Sequence, residues 1–169
     1  MTVPGVGEFI EVSRTIDIVA EFRAVIGALE ARRLEFAVCG GFAVVIHGYV
    51  RATKDIDLLI ESSAVEAAFE ALKPLGFTLR AGPISFGAGT SSERTLFRAT
   101  KVVENSHLTI DLLVVSPVFS EVWSDREDID WQGARIQVVS REGLSIMKTL
   151  AGRPQDLADL AQLGIEVKP

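Results

Sequence analysis

The amino-acid sequence predicts a mixed α/β (α+β) fold, a mixed β-sheet flanked by helices with further helices at the C-terminal end. Three observations predict it. Short apolar strand patterns alternate with helical spacing through the first half of the chain. Two longer strand patterns, 94–103 and 107–115, are joined by a polar turn. The last stretch, REGLSIMKTLAGRPQDLADLAQLG, reads as two helices broken near Gly152-Arg153-Pro154. At 169 residues the chain is expected to be a single domain, 1–169. A chain of that size buries roughly 70% of its unfolded surface without disulfides or metals.

Residues 1–12, with Pro4, Gly5 and Gly7, read as a loose lead-in. Thr15 or Ser13 is the expected cap of a helix over 16–33, whose apolar residues Ile18, Phe22, Val25, Ile26 and Leu29 fall at helical spacing. EFAVC (35–39) is a buried strand, and Gly40-Gly41 open a short buried helix that stops at Gly48. IDLLI (56–60) is a strand, followed by a helix over 62–76 with Ser62 as cap and Pro74-Leu75-Gly76 as stop. FTLR (77–80) is strand-like. The glycines and proline of 81–92 mark a loop. The strands 94–103 and 107–115 form a hairpin around Glu104-Asn105-Ser106. A short helix over 117–124 and two brief strands around Gln132-Gly133 complete the sheet.

Charge and composition narrow the function. With 17 Lys and Arg against 23 Asp and Glu, the net charge is −6. Binding along a phosphate backbone runs on clustered basic residues, so a large nucleic-acid substrate is disfavoured and a nucleotide or a protein partner favoured. One cysteine, Cys39, excludes a disulfide framework within the chain and points to a reducing cytoplasm. The N-terminus MTVPGVGEF has neither a basic region nor an apolar core, so no signal peptide is expected. Apolar runs such as FAVVI and LLVV are too short to span a bilayer.

Against that background, TKDIDLL stands out. Residues i and i+2 of a strand share a face, so Asp55 and Asp57 project together while Ile56 enters the core. Two carboxylates held close raise each other's pKa unless a cation lies between them. Asp111, inside TIDLLVV, is a third strand carboxylate flanked by apolar residues, expensive without a partner. Hard oxygen donors suit Mg²⁺ or Mn²⁺, and three of them suit in-line phosphoryl or nucleotidyl transfer. The plainer reading makes Asp55 a turn cap and pairs Asp57 with Arg51 or Lys54. Gly40-Gly41, between a strand and a helix, either let backbone N–H groups approach a phosphate or simply make a tight turn.

The run CGGFAVVIHGYVRATKDIDLLI, with Asp111 and the tail KTLAGRPQDLADLAQL, resembles the nucleotidyltransferases of the DNA polymerase β superfamily. It is most similar to minimal AbiEii-like members, in which a helix ending near His-Gly precedes Arg-x-Thr-x-Asp-x-Asp. The resemblance implies a nucleotidyltransferase fold with a mixed sheet, flanking helices and C-terminal helices. It implies that Gly40 and Gly41 line a triphosphate, that Asp55 and Asp57 bind Mg²⁺ (or Mn²⁺), and that Asp111 completes the metal site or helps deprotonate the acceptor. It places Lys148 on the phosphates or the acceptor, supported by Asp156 or Asp159. Lys148, Arg153 and Asp156 could equally form a solvated helix face with i, i+3 pairing.

The expected reaction moves a nucleoside monophosphate from an NTP, with ATP foremost, to a protein, a tRNA end or a small molecule such as an aminoglycoside. The acidic charge tilts the acceptor toward protein or small molecule. By the same resemblance, a partner encoded nearby and a toxin–antitoxin role are implied. Arg51 and Thr53, beside the carboxylates, are nucleotide-binding candidates, although Arg51 also suits a bidentate pair with an aspartate. His47 reads as a helix-end residue, His107 as a bland strand start, Cys39 as a small buried hydrophobe, and Trp123 and Trp131 as core or rim packing. A rival from another class is a non-catalytic nucleotide- or protein-binding module on the same fold. A third is phosphate hydrolysis by the same aspartates.

Overall fold

The computed structural model describes residues 15–166, so the 1–12 lead-in and Ser13 lie outside the described residues. Helix α1 (Ile18–Ala31) starts on Asp17 rather than Thr15. The Asp17 Oδ1 accepts hydrogen bonds from the backbone N–H of Val19 and Ala20, both at 3.1 Å. A carboxylate there satisfies two orphan donors and complements the positive end of the helix dipole. Phe22, Val25, Ile26 and Leu29 form its buried stripe.

Strand β1 (Ala37–Cys39) is buried throughout and passes directly into α2 (Gly40–Ile46), after which β2 (Asp55–Ile60) returns antiparallel to β1. Ser62 does not cap the next helix. It opens a 3₁₀ turn (Ser62–Ala64), and α3 (Val65–Leu72) follows with no side-chain cap. A second 3₁₀ turn, Lys73–Leu75, ends at Gly76 with φ 95°, the expected stop.

Strand β3 (Leu79–Phe86) corrects the expected loop over 81–92: residues 81–86 are strand, and the loop runs over 87–93. Local glycine and proline content is overridden by pairing: β3 pairs in register with six residues of β4 (Arg94–Val103), and the register shifts between Ala81 and Ile84, at Gly82-Pro83. A sheet edge tolerates that proline and the bulge. The hairpin of β4 with β5 (Ser106–Val114) turns on Glu104-Asn105, with Val103 opposite Ser106. A 3₁₀ turn and the short α4 (Ser120–Ser124) follow. Then come β6 (Glu127–Trp131) and β7 (Ala134–Val138), joined by Gln132 and Gly133 at positive φ. Helix α5 (Arg141–Ala151) is capped by Ser140 Oγ and stopped by Gly152, and α6 (Pro154–Gln162) begins on its proline.

The strands form one sheet in the order β3-β4-β5-β2-β1-β7-β6, with β2 parallel to β5 and β1 parallel to β7. Its two sides separate cleanly. Leu58, Leu112 and Phe97 are register neighbours on one side. There Phe97 meets Phe69 of α3 edge to face, and Lys101 Nζ reaches Glu21 of α1 at 2.7 Å. The next residues along each strand, Asp57, Asp111 and Arg98, are register neighbours on the opposite side. The fold therefore assembles from three separate strands a row that no single stretch of sequence contains. Among the described residues, no helix is long and apolar enough to cross a membrane.

Candidate active site

The site begins where β2 begins. Asp55 is exposed at the strand's first position, Asp57 is half-buried two residues on, and Ile56 between them is fully buried. In the parallel ladder Asp57 lies opposite Asp111, and in the antiparallel one opposite Cys39. The three predicted carboxylates thus share one face. Burial, then the charges of Asp111 and Asp55, push the Asp57 carboxyl up from 3.8 to about 7, with Lys148 and Arg153 pulling partly the other way. Burial first and Asp57 second also push the Cys39 thiol up, leaving it a neutral, buried group.

The two glycines have a local reason. Gly40 sits at φ +60°, and a Cβ there would overlap Asp57 Oδ2; a Cβ on Gly41 would come within 2.5 Å of Thr53 Oγ1. Bare backbone at both positions lets the first turn of α2 lie against the start of β2. Thr53 Oγ1 in turn donates to the Asp55 carbonyl at 3.2 Å, pinning the bend into the strand. His47 closes α2, with Nε2 2.8 Å from the Val139 carbonyl, as a helix-end residue should.

Helices α5 and α6 contribute a buried charge network. Lys148 Nζ lies 3.0 Å from Asp156 Oδ1 and 2.9 Å from Asp159 Oδ2. All three residues are under 5% exposed, so Lys148 and Asp156 do not lie on a solvated face, whereas the Arg153 side chain is exposed and makes the expected i, i+3 pair with Asp156. Arg153 Nε donates to Asp156 Oδ2 at 2.7 Å and Gln155 Nε2 to Asp159 Oδ1 at 2.8 Å. Arg51 Nη2 donates to Asp159 Oδ2 at 2.9 Å; its Nε lies 2.8 Å from Oδ1 without a hydrogen-bonding angle, so this second contact acts by charge. Arg51 therefore pairs with an aspartate, but with Asp159 rather than Asp57 or Asp111, and through one hydrogen bond and one charge contact rather than a bidentate fork. Burial alone would raise both aspartates, but the hydrogen bonds from Arg153 and Lys148 at Asp156, and from Lys148, Gln155 and Arg51 at Asp159, outweigh it and hold both low. Through Arg51 the network ties α6 to the segment that leads into Asp55.

Arg98 is the residue that sequence reasoning missed. Its Nε and Nη2 donate to Asp111 Oδ1 and Oδ2 at 2.7 and 2.9 Å, a bidentate fork across β4 and β5. A usable signal exists: a two-residue turn at Glu104-Asn105 puts residue 98 opposite residue 111. The expected three-residue turn obscured that register.

The donor set is chemically right for a hard divalent ion, since it is all carboxylate oxygen and Asp57 is crowded by like charge. Both Asp111 oxygens are, however, committed to Arg98. Among the described residues no group of three or more His, Cys, Asp or Glu is arranged to hold a metal ion. The residues fit Mg²⁺ or Mn²⁺ by donor chemistry, with Arg98 as the competitor for the third donor.

Comparison with known proteins follows the same lines. No curated protein sequence matches the chain. A Thermotoga maritima protein solved as a candidate nucleotidyltransferase superposes with TM-score 0.59 at 12% identity, covering 86% of this chain and 91% of that one. The lincosamide antibiotic adenylyltransferase LnuA, lincomycin-bound, gives TM-score 0.58 at 16% identity, covering 86% of this chain and 95% of that one. ANT(2'')-Ia, in complex with adenylyl-2''-tobramycin, gives 0.59 at 14%, covering 88% of each chain. At these identities the likeness establishes the fold. The family is established by sequence: residues 13–166 match the profile of DUF6036, described as a nucleotidyltransferase of unknown function, and the chain belongs to that family.

Proposed function

We propose that the chain transfers a nucleoside monophosphate, AMP foremost, from a nucleoside triphosphate to a hydroxyl acceptor, and that a small molecule is the first acceptor class to test. The observation that carries this reading is the crowding at Asp57, flanked in register by Asp111 and two residues from Asp55 on one face. The names of LnuA and ANT(2'')-Ia, adenylyl transfer to antibiotics, support the donor and the acceptor class. A protein partner, a toxin–antitoxin setting and a protein or tRNA acceptor rest on the resemblance alone.

In this reading the acceptor oxygen attacks the α-phosphorus, the bond to the β-phosphate oxygen breaks, and pyrophosphate leaves. The acceptor's proton passes to a carboxylate of the Asp55, Asp57 and Asp111 set. Those three residues would hold Mg²⁺ or Mn²⁺, which supplies charge neutralisation at the phosphates. Gly40 and Gly41 keep the backbone of α2 bare beside Asp57, where phosphate oxygens could approach N–H groups. Lys148, fixed by Asp156 and Asp159, adds positive potential felt at Asp57. Arg51 and Thr53 shape the entry to β2 and are the remaining candidates for phosphate contact.

One observation favours the rival, a non-catalytic binding module: Arg98 neutralises the third carboxylate. Calorimetric titration of ATP, GTP, CTP and UTP, with and without Mg²⁺, separates the readings when wild type is compared with Asp55→Ala/Asp57→Ala. Binding that needs both Mg²⁺ and the aspartate pair, followed by Mg²⁺-dependent pyrophosphate release with hydroxyl compounds, supports transfer. Binding without pyrophosphate release from any acceptor supports the module. No binding of any nucleotide overturns the enzyme reading.

A further inference from the structure

The fork between Arg98 and Asp111 has unequal partners. The Arg98 side chain is 44% exposed and Asp111 only 13%, so the guanidinium is the partner free to swing into solvent while the carboxylate stays. Arg98 shares its face with Asp55, Asp57 and Asp111. The hydrogen bond to Asp111, together with the charges of all three aspartates, outweighs burial and holds the guanidinium more firmly protonated than usual. While both of its oxygens accept from Arg98, Asp111 already has a positive counter-charge, and a cation on that face must bind against it. A guanidinium and a divalent ion are therefore alternative counter-charges for one carboxylate. Polyphosphate offers the guanidinium another bidentate anion of the kind it prefers.

We infer that Arg98 is a positioning residue that competes with the divalent ion for Asp111 and yields the carboxylate when nucleotide phosphates draw the guanidinium away, so that ion and nucleotide binding are coupled. The inference deepens the nucleotidyltransferase reading and rests on it. Linkage makes the coupling reciprocal: whatever the nucleotide adds to ion affinity, the ion adds to nucleotide affinity. A purely structural cross-strand pair would stabilise the hairpin and leave ion affinity alone. A pair that competes must instead weaken ion binding in the absence of nucleotide.

The test is Mn²⁺ titration read by the electron paramagnetic resonance signal of free Mn²⁺, on wild type, Arg98→Gln and Arg98→Lys, with and without α,β-methylene-ATP. Thermal melts verify folding. Without nucleotide, Arg98→Gln is expected to bind Mn²⁺ about tenfold more tightly than wild type, the scale of one charge-assisted bidentate contact. Arg98→Lys, which keeps the charge and loses the fork, falls between them and carries the test alone should the glutamine variant not fold. With the analogue present, the variants' advantage disappears and the ion–nucleotide coupling is smaller than in wild type. Unchanged or weaker Mn²⁺ affinity in the variants, with wild type still binding Mn²⁺ and nucleotide together, overturns the role of Arg98 and leaves the nucleotidyltransferase reading standing. Failure of every protein to bind Mn²⁺ even with nucleotide overturns both.

Discussion

Gly40 leaves room for Asp57. A Cβ at residue 40 would overlap Asp57 Oδ2, and the backbone there already holds φ +60°. Gly40→Ala therefore combines a left-handed backbone with a clash against a charged group, and a loss of about 2 kcal/mol or more is expected. Urea unfolding measures it. Gly41 makes a gentler case, because its φ is ordinary and the obstacle is Thr53 Oγ1 at 2.5 Å. Gly41→Ala should destabilise, and Thr53→Ala in the same chain should recover part of the loss through coupling between the two sites. Full additivity of the two substitutions would refute the close approach.

Lys148 separates a packing role from a surface one. Its ammonium is the shared partner of Asp156 and Asp159, all of them buried. Lys148→Met leaves Asp156 with Arg153, and Asp159 with Arg51 and Gln155, as partners, and removing one member of a buried ion network typically costs about 3 kcal/mol or more. A loss under about 0.5 kcal/mol in urea unfolding is what a solvated position would give, and would mean the network is looser than its distances imply. The same aspartates have depressed pKa values. Their contribution is complete above the unfolded carboxylate pKa and is lost as pH falls through the lower folded values, so the deficit of the variant should shrink in strong acid.

What was legible in the sequence was local and periodic. Asp55 and Asp57 could be placed on one face because a strand repeats every two residues, and Asp111 because it interrupts an apolar run. The stops at Gly76 and Gly152 announced themselves by residue type. The parallel pairing that sets Asp57 opposite Asp111 joins residues 54 positions apart with α3, β3 and β4 between them, and no local signal specifies it. Arg98 was hidden by one residue of uncertainty in a turn, since a slip of one in a hairpin moves every side chain to the other face. Strand β3 was hidden for another reason: Gly82 and Pro83 carry loop chemistry, and only the pairing offered by β4 overrides it. Asp17 is hard to single out as the cap because Thr15 and Ser13, two and four positions earlier, carry the same capping chemistry.

The carboxyl of Asp57 should make stability fall with rising pH. Its pKa is raised to about 7 in the folded chain from 3.8. Between those values the folded state holds more protons than the unfolded one, so folding loses free energy as pH rises through that window and loses no more above it. Asp57→Asn cannot ionise and escapes the loss. In the presence of EDTA, the variant and wild type should have similar stability near pH 4, and the variant should be the more stable by roughly 2–4 kcal/mol at pH 8. Parallel pH profiles would show that Asp57 is better solvated than its neighbours suggest.

The same proton bears on nucleotide binding. A carboxylate must be deprotonated to serve a cation, so below about pH 7 an ion at Asp57 has to displace a proton. Mg²⁺-dependent ATP affinity should therefore rise by up to about tenfold per pH unit on the acid side and level off above neutrality. Calorimetry in two buffers of different ionisation enthalpy would read the released proton directly near pH 6. Asp57→Asn should abolish both the proton release and the slope. Retention of either by the variant would move the titrating group away from Asp57, to a site that the crowding of Asp55, Asp57 and Asp111 does not explain. A slope that vanishes with Asp57 while some Mg²⁺-dependent binding survives would instead divide the labour: Asp55 and Asp111 would still hold the ion, and Asp57 would set the pH at which it binds.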